Sequence, residues 1–102
     1  MSWKQPFSVW KQKIKLSDVK SIKYNNRFTY FILKRNGELY GLGDNTYHTI
    51  SEDDVRAYTS PKLIATNVKE FSICRDEASV FYLKNNGELF LRGYCDYAKS
   101  IR

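Results

Sequence analysis

Phe31-Ile32-Leu33-Lys34-Arg35-Asn36-Gly37-Glu38-Leu39-Tyr40 returns later in the chain as Phe81-Tyr82-Leu83-Lys84-Asn85-Asn86-Gly87-Glu88-Leu89-Phe90, at an offset of 50. Gly43 and Tyr47 recur as Gly93 and Tyr97 in the same register. Upstream the offset is 49: Lys13, Ile14, Asp18, Val19, Lys20 and Ile22 match Lys62, Leu63, Asn67, Val68, Lys69 and Phe71. One residue has been gained or lost between Ile22 and Phe31. Self-similarity at this period is the signature of a repeat architecture, so it takes precedence over every local reading.

Within each repeat the elements read as strands. Asn36-Gly37 and Asn86-Gly87 sit between alternating apolar runs, a strong short-range hairpin signal because both residue types tolerate the positive φ of a type I′ turn. The pattern predicts hairpins pairing 29–34 with 38–42 and 79–84 with 88–92, each preceded by a strand, 19–24 or 68–74. A fourth strand is expected around Ile14 and again around Leu63-Ile64, making two units of four antiparallel strands. Phe28, Tyr30 and Ile32 point one way and Phe31 and Leu33 the other, and Val80 and Tyr82 against Phe81 and Leu83 repeat the arrangement. Strands apolar on both faces belong inside a stack of sheets, the environment of a propeller blade. The expected class is all-β: two four-stranded antiparallel sheets resembling two blades, capped by an N-terminal segment.

The Val-Lys-x-Ile or Val-Lys-x-Phe lead into a Leu-Lys-x-Asn-Gly-Glu-Leu-Tyr/Phe hairpin, followed by a glycine, resembles the regulator of chromosome condensation repeat family. The resemblance covers residues 12–50 and 61–102 of a single domain, with an acidic linker at 51–60. It implies a β-propeller, usually of seven blades. Asn45-Thr46-Tyr47-His48-Thr49-Ile50 stands where the family has Asn followed by a Gly-Gln-Leu-Gly turn. Two blades do not close a ring that needs at least about four. The outer blade faces are therefore completed by a homo-oligomer, by the N-terminal segment, or by another protein. The family's exchange-factor activity on a small GTPase uses a full propeller surface and is not carried over.

The net charge of +6 is unevenly spread: residues 1–50 hold nine Lys or Arg against three acids, and residues 51–102 eight against eight. Lys11, Lys13, Lys15, Lys20, Lys23, Arg27, Lys34 and Arg35 would attract phosphate or an acidic protein surface, or simply keep a basic face solvated. Tyr24, Phe28 and Tyr30 offer rings on which single-stranded bases stack, but a core needs the same rings. Trp3, Phe7, Trp10 and Ile14 have helical spacing, while the repeat places Ile14 in a strand. Two tryptophans are costly to leave in water, so Trp3 and Trp10 are expected in a cap over an open blade face or in contact with a partner.

Catalytic and metal-binding signals are absent. His48 is the only histidine, has no serine or cysteine at nucleophile spacing, and reads as a solvated loop residue. Cys74 and Cys95 have no zinc spacing and read as free thiols. The stretch 44–55 has Thr49 where a calcium loop needs glycine and Val55 where it needs an acid. Gly41-Leu42-Gly43 lacks the helix that phosphate binding requires and reads as a strand end with room for close packing. No cofactor is implied. No apolar run approaches the ~20 residues of a spanning helix, and the N-terminus does not read as a signal peptide, so a cytoplasmic location is expected.

These readings together predict a non-catalytic module that docks on a partner protein. Phe, Tyr, Met, Ile, Asn and Lys number 40 of 102 residues, a bias expected of AT-rich genomes. In a small basic chain this profile suits a phage or mobile-element inhibitor, for instance an anti-CRISPR protein acting on a host nucleic-acid enzyme. Direct nucleic-acid binding through the basic first half is the alternative class.

Overall fold

The computed structural model describes residues 15–25, 28–45, 48–51, 56–74 and 79–93. The expectations for Trp3, Trp10, Lys11, Lys13, Arg27 and Cys95, and the strand around Ile14, fall outside them. The architecture is all-β, with seven strands among the described residues: β1 (Val19–Asn25), β2 (Thr29–Lys34), β3 (Leu39–Gly43), β4 (Tyr58–Ala65), β5 (Val68–Cys74), β6 (Ser79–Lys84) and β7 (Leu89–Gly93). They form two antiparallel sheets, β1-β2-β3-β4 and β5-β6-β7.

Both expected hairpins are present, but their turns differ from the predicted type. Gly37 N–H donates to Lys34 C=O at 3.0 Å and Lys34 N–H to Glu38 C=O at 2.9 Å, which leaves three residues in the loop. Of these only Gly37 has positive φ, at 92°. This is a type I turn followed by a left-handed bulge glycine, not the two-residue type I′ turn. Asn36 stays in the right-handed region because its Oδ1 accepts the Glu38 N–H at 3.0 Å, a local bond that type I geometry permits. Asn86, Gly87 and Glu88 repeat every feature, with Gly87 at φ 93°.

The assignment of the fourth strands is corrected. The strand containing Leu63 and Ile64 pairs with β3, so it completes the first sheet instead of the second. Among the described residues the second sheet has three strands, not four. The reason lies at Thr66-Asn67, where Asn67 takes φ 58° and turns the chain out of β4 directly into β5 of the other sheet. Asparagine tolerates that left-handed conformation better than most residues. At the same corner Val68 N–H donates to Gly37 C=O at 2.9 Å, tying the first hairpin turn to the start of the second sheet.

The core lies between the sheets. Phe31, Leu33 and Leu39 from the first pack against Val68, Phe71, Val80 and Tyr82 from the second, with Ile64, Ala65 and Ile73 around them. The Phe31 and Phe71 rings meet tilted, with centroids 6.5 Å apart. Each such side chain contributes about 1.5–3 kcal/mol by leaving water. The predicted split of strand faces holds, since Phe31 and Leu33 are buried in this core while Tyr30, on the opposite face of β2, is exposed.

After β3 the chain packs back on its own sheet. Ile50 is buried, and a Cβ at Gly41 would lie 2.7 Å from Ile50 Cγ1 and 3.0 Å from Ile64 Cδ1, so glycine is what lets this loop close. Gly43 at φ 113° approaches the Phe28 carbonyl more closely than any Cβ allows. The expectation of close packing at Gly41-Leu42-Gly43 therefore holds.

Candidate docking faces

Among the described residues two apolar surfaces are at least partly open, and they lie on opposite sides of the sheet pair. On β1 and β2 the partners Tyr24↔Tyr30 and Ile22↔Ile32 share the face turned away from the second sheet. Ile22 is 51% exposed, Tyr24 43% and Tyr30 46%. The two tyrosine rings lean on each other with centroids 4.6 Å apart, which presents them as one aromatic platform. Leu63 is exposed on the same face of β4, separated from Ile22 by the buried Ile32 and the half-buried Tyr40.

The second surface is the far face of the second sheet. Phe81↔Leu91 and Leu83↔Leu89 are direct cross-strand pairs on that face. A shallow open depression there is lined by Glu70, Phe71, Ser72, Phe81, Leu83 and Leu89. Leu89 is 67% exposed, whereas its repeat counterpart Leu39 is fully buried. The two leucines share a local sequence, but Leu39 lies under the second sheet on a strand flanked by β2 and β4, whereas Leu89 lies on β7, at the end of the described second sheet.

Among the described basic residues, two reach across to the second sheet. Lys23 Nζ donates to the Phe71 carbonyl at 3.0 Å and sits 5.0 Å above the Phe71 ring, while Lys20 Nζ donates to the Lys69 carbonyl at 3.2 Å. Both lysines thus bridge the two sheets. Lys34 lies 5.6 Å over the Tyr40 ring beside its own turn. Lys15 and Arg35 are exposed. Sequence reasoning saw these lysines as one field and missed the bridges, because Lys23 and Phe71 are 48 positions apart and only the packing of the sheets joins them.

At the turn beside Lys34, Tyr40 donates its hydroxyl to Glu38 Oε1 at 2.8 Å. That bond, with the one from Asn36, holds the Glu38 carboxyl below its ordinary pKa, and it raises the Tyr40 phenol. His48 is half-buried instead of solvated, at φ 60°, with Nδ1 3.1 Å from the Ser51 carbonyl. A carbonyl only accepts, so Nδ1 carries the proton in this arrangement. Cys74 lies half-buried at the end of β5. Among the described residues no group of three or more His, Cys, Asp or Glu is placed to hold a metal ion. No helix among them is long and apolar enough to cross a membrane. Comparison of the chain with family models, with curated proteins and with solved structures returns no match.

Proposed function

We propose that this chain is a non-catalytic, cytoplasmic protein-interaction module, built from two blade-like units of the kind found in propeller repeats, that docks on another protein through its open sheet faces. The observation that carries the reading is the Ile22, Tyr24 and Tyr30 platform, about half exposed on a rigid sheet. A contiguous apolar surface of this kind costs free energy in water and is the usual mark of an interface. Tyrosine suits it, having a large apolar area, two rotatable torsions and a polar tip. The use of Lys20 and Lys23 between the sheets favours a protein over a nucleic acid as the partner, since each ammonium already donates to a carbonyl of the second sheet.

The test is capture of partners by tagged protein from source lysate, with and without nuclease, using wild type, Tyr24→Asp and Leu89→Asp. A stoichiometric protein that resists nuclease and is lost with either face variant supports the reading. Recovery of nucleic acid alone, abolished by nuclease, overturns it. If the captured protein is a nucleic-acid enzyme that loses activity when bound, the module acts as an inhibitor.

A further inference from the structure

We propose that copies of this chain join head to tail, the Ile22, Tyr24 and Tyr30 platform of one copy seating on the Phe81, Leu83 and Leu89 face of the next. This rests on the docking reading above and names the partner as a second copy.

The argument comes from the interface already inside the molecule. One face of the first sheet, carrying Phe31, Leu33 and Leu39, receives a face of the second carrying Val68, Phe71, Val80 and Tyr82. By the repeat, the first set corresponds to Phe81, Leu83 and Leu89, and the second to Val19, Ile22, Tyr30 and Ile32. Both halves of the same interface therefore occur a second time, on opposite outer sides of the molecule; of the second set Ile22 and Tyr30 are exposed, while Ile32 is buried on its face. Their burial shows the difference: Leu39 and Phe71 are buried, while Leu89 and Ile22 are more than half exposed.

Backbone geometry repeats along with the side chains. Asp18 at φ 52° matches Asn67 at φ 58°, and Asp18 C=O accepts from Arg35 N–H at 2.8 Å as Asn67 C=O does from Asn85 N–H at 2.9 Å. The chain thus enters β1 by the same corner that carries it into β5. At the internal interface Val68 N–H donates to Gly37 C=O, and a Cβ at Gly37 would touch Asn67 and Val68 at 3.4 Å. Gly87 has the same φ as Gly37 but nothing within 4 Å of the corresponding position. In the assembly Val19 N–H of the next copy donates to Gly87 C=O, continuing the established interface from one molecule to the next.

Charge selects the direction. The first sheet, over 19–25, 29–43 and 58–65, holds Lys20, Lys23, Lys34, Arg35 and Lys62 against Glu38, so two such sheets meeting face to face would oppose like charge. Head-to-tail contact sets that sheet against the second, where 68–74 and 79–93 hold Lys69, Lys84 and Arg92 against Glu70 and Glu88 and Glu70 lines the open face. Such contacts are heterologous, so the rotation per copy decides between a closed ring and an open filament.

The test is mass in solution by sedimentation and native mass spectrometry. Wild type is expected to exceed 12.0 kDa and to grow with concentration. Leu89→Glu alone and Ile22→Glu/Tyr24→Glu alone are expected to stay monomeric and, mixed, to give a 1:1 dimer and nothing larger, since each retains the face the other lacks. In unmodified protein, amide exchange at Val19 is expected to slow as concentration rises, a readout independent of any variant's folding. A wild type that stays at 12.0 kDa up to millimolar concentration overturns the proposal. So does growth in mass that both variants retain. If wild type is monomeric yet captures another protein that Leu89→Asp loses, only the identity of the occupant falls. If neither face variant affects any association, the docking reading falls with it.

Discussion

The side-chain amide of Asn45 holds Ser51 at both ends: Oδ1 accepts the Ser51 N–H at 3.0 Å and Nδ2 donates to the Ser51 carbonyl at 3.0 Å. The same Oδ1 accepts the Ile50 N–H at 2.8 Å. All three residues are buried, so the loop after β3 is fixed by one side chain where a run of glycines was absent. Asn45→Ala leaves three buried backbone groups without this partner and is expected to destabilise the fold by about 2–4 kcal/mol. Urea unfolding of the variant against wild type measures it.

Gly41 is set by the Ile50 side chain that this loop delivers. Gly41→Ala forces a methyl into space already filled and is expected to cost about 1–3 kcal/mol. Ile50→Ala opens that space at its own cost in lost burial. The double variant is therefore expected to be more stable than the sum of the single changes implies, and a double-mutant cycle in denaturant reads the coupling.

Lys23 stabilises the contact between the sheets through the Phe71 carbonyl and ring. Lys23→Met keeps the aliphatic stem and removes the ammonium, with an expected loss of about 1–2 kcal/mol. Lys15→Met, at an exposed site, is expected to change stability by less than about 0.5 kcal/mol. Thermal melts of the two variants separate a structural lysine from a solvated one.

Tyr40 and Glu38 make stability depend on pH at both ends of the scale. The Tyr40 and Asn36 hydrogen bonds lower the folded pKa of Glu38, so its stabilisation is present above the unfolded carboxylate pKa and is lost as pH falls through the folded value. The bond to Glu38 raises the phenol pKa, so that contribution is present below the unfolded tyrosine pKa and is lost as pH rises through the folded one. Tyr40→Phe is expected to move the Glu38 titration, followed by carboxyl carbon NMR, up toward the ordinary range and to flatten both limbs of the melting-temperature profile.

Leu39 and Leu89 give the most direct contrast between the repeats. Leu39→Ala is expected to cost about 2–5 kcal/mol in dilute protein, as a buried leucine does. Leu89→Ala is expected to cost less than about 1 kcal/mol under the same conditions, because most of its side chain already meets water. Chemical denaturation at low protein concentration checks both.

Much of this fold was legible because its signals are local. Strand alternation fixed which residues of 29–34 and 79–84 share a face, and Asn-Gly fixed where the hairpins turn. The turn type was missed because it depends on whether the asparagine side chain bonds forward to Glu38, which residue type alone does not reveal. The docking faces were half legible: Tyr30 was assigned to its face correctly, but nothing near Leu89 in sequence distinguishes it from Leu39.

By itself the sequence determined the all-β class, the repeat, both hairpins and the strands before them, since periodicity and turn chemistry act over a few residues. The tertiary structure alone decided that β4 joins β3, that Lys20 and Lys23 bridge the sheets, and that Leu39 is covered while Leu89 is not. Those outcomes depend on how one corner at Asn67 directs the chain from sheet to sheet and on what then lies above each face. The lysine bridges join residues 48 and 49 positions apart and the β3–β4 pairs span 15 to 26, and no local pattern specifies them.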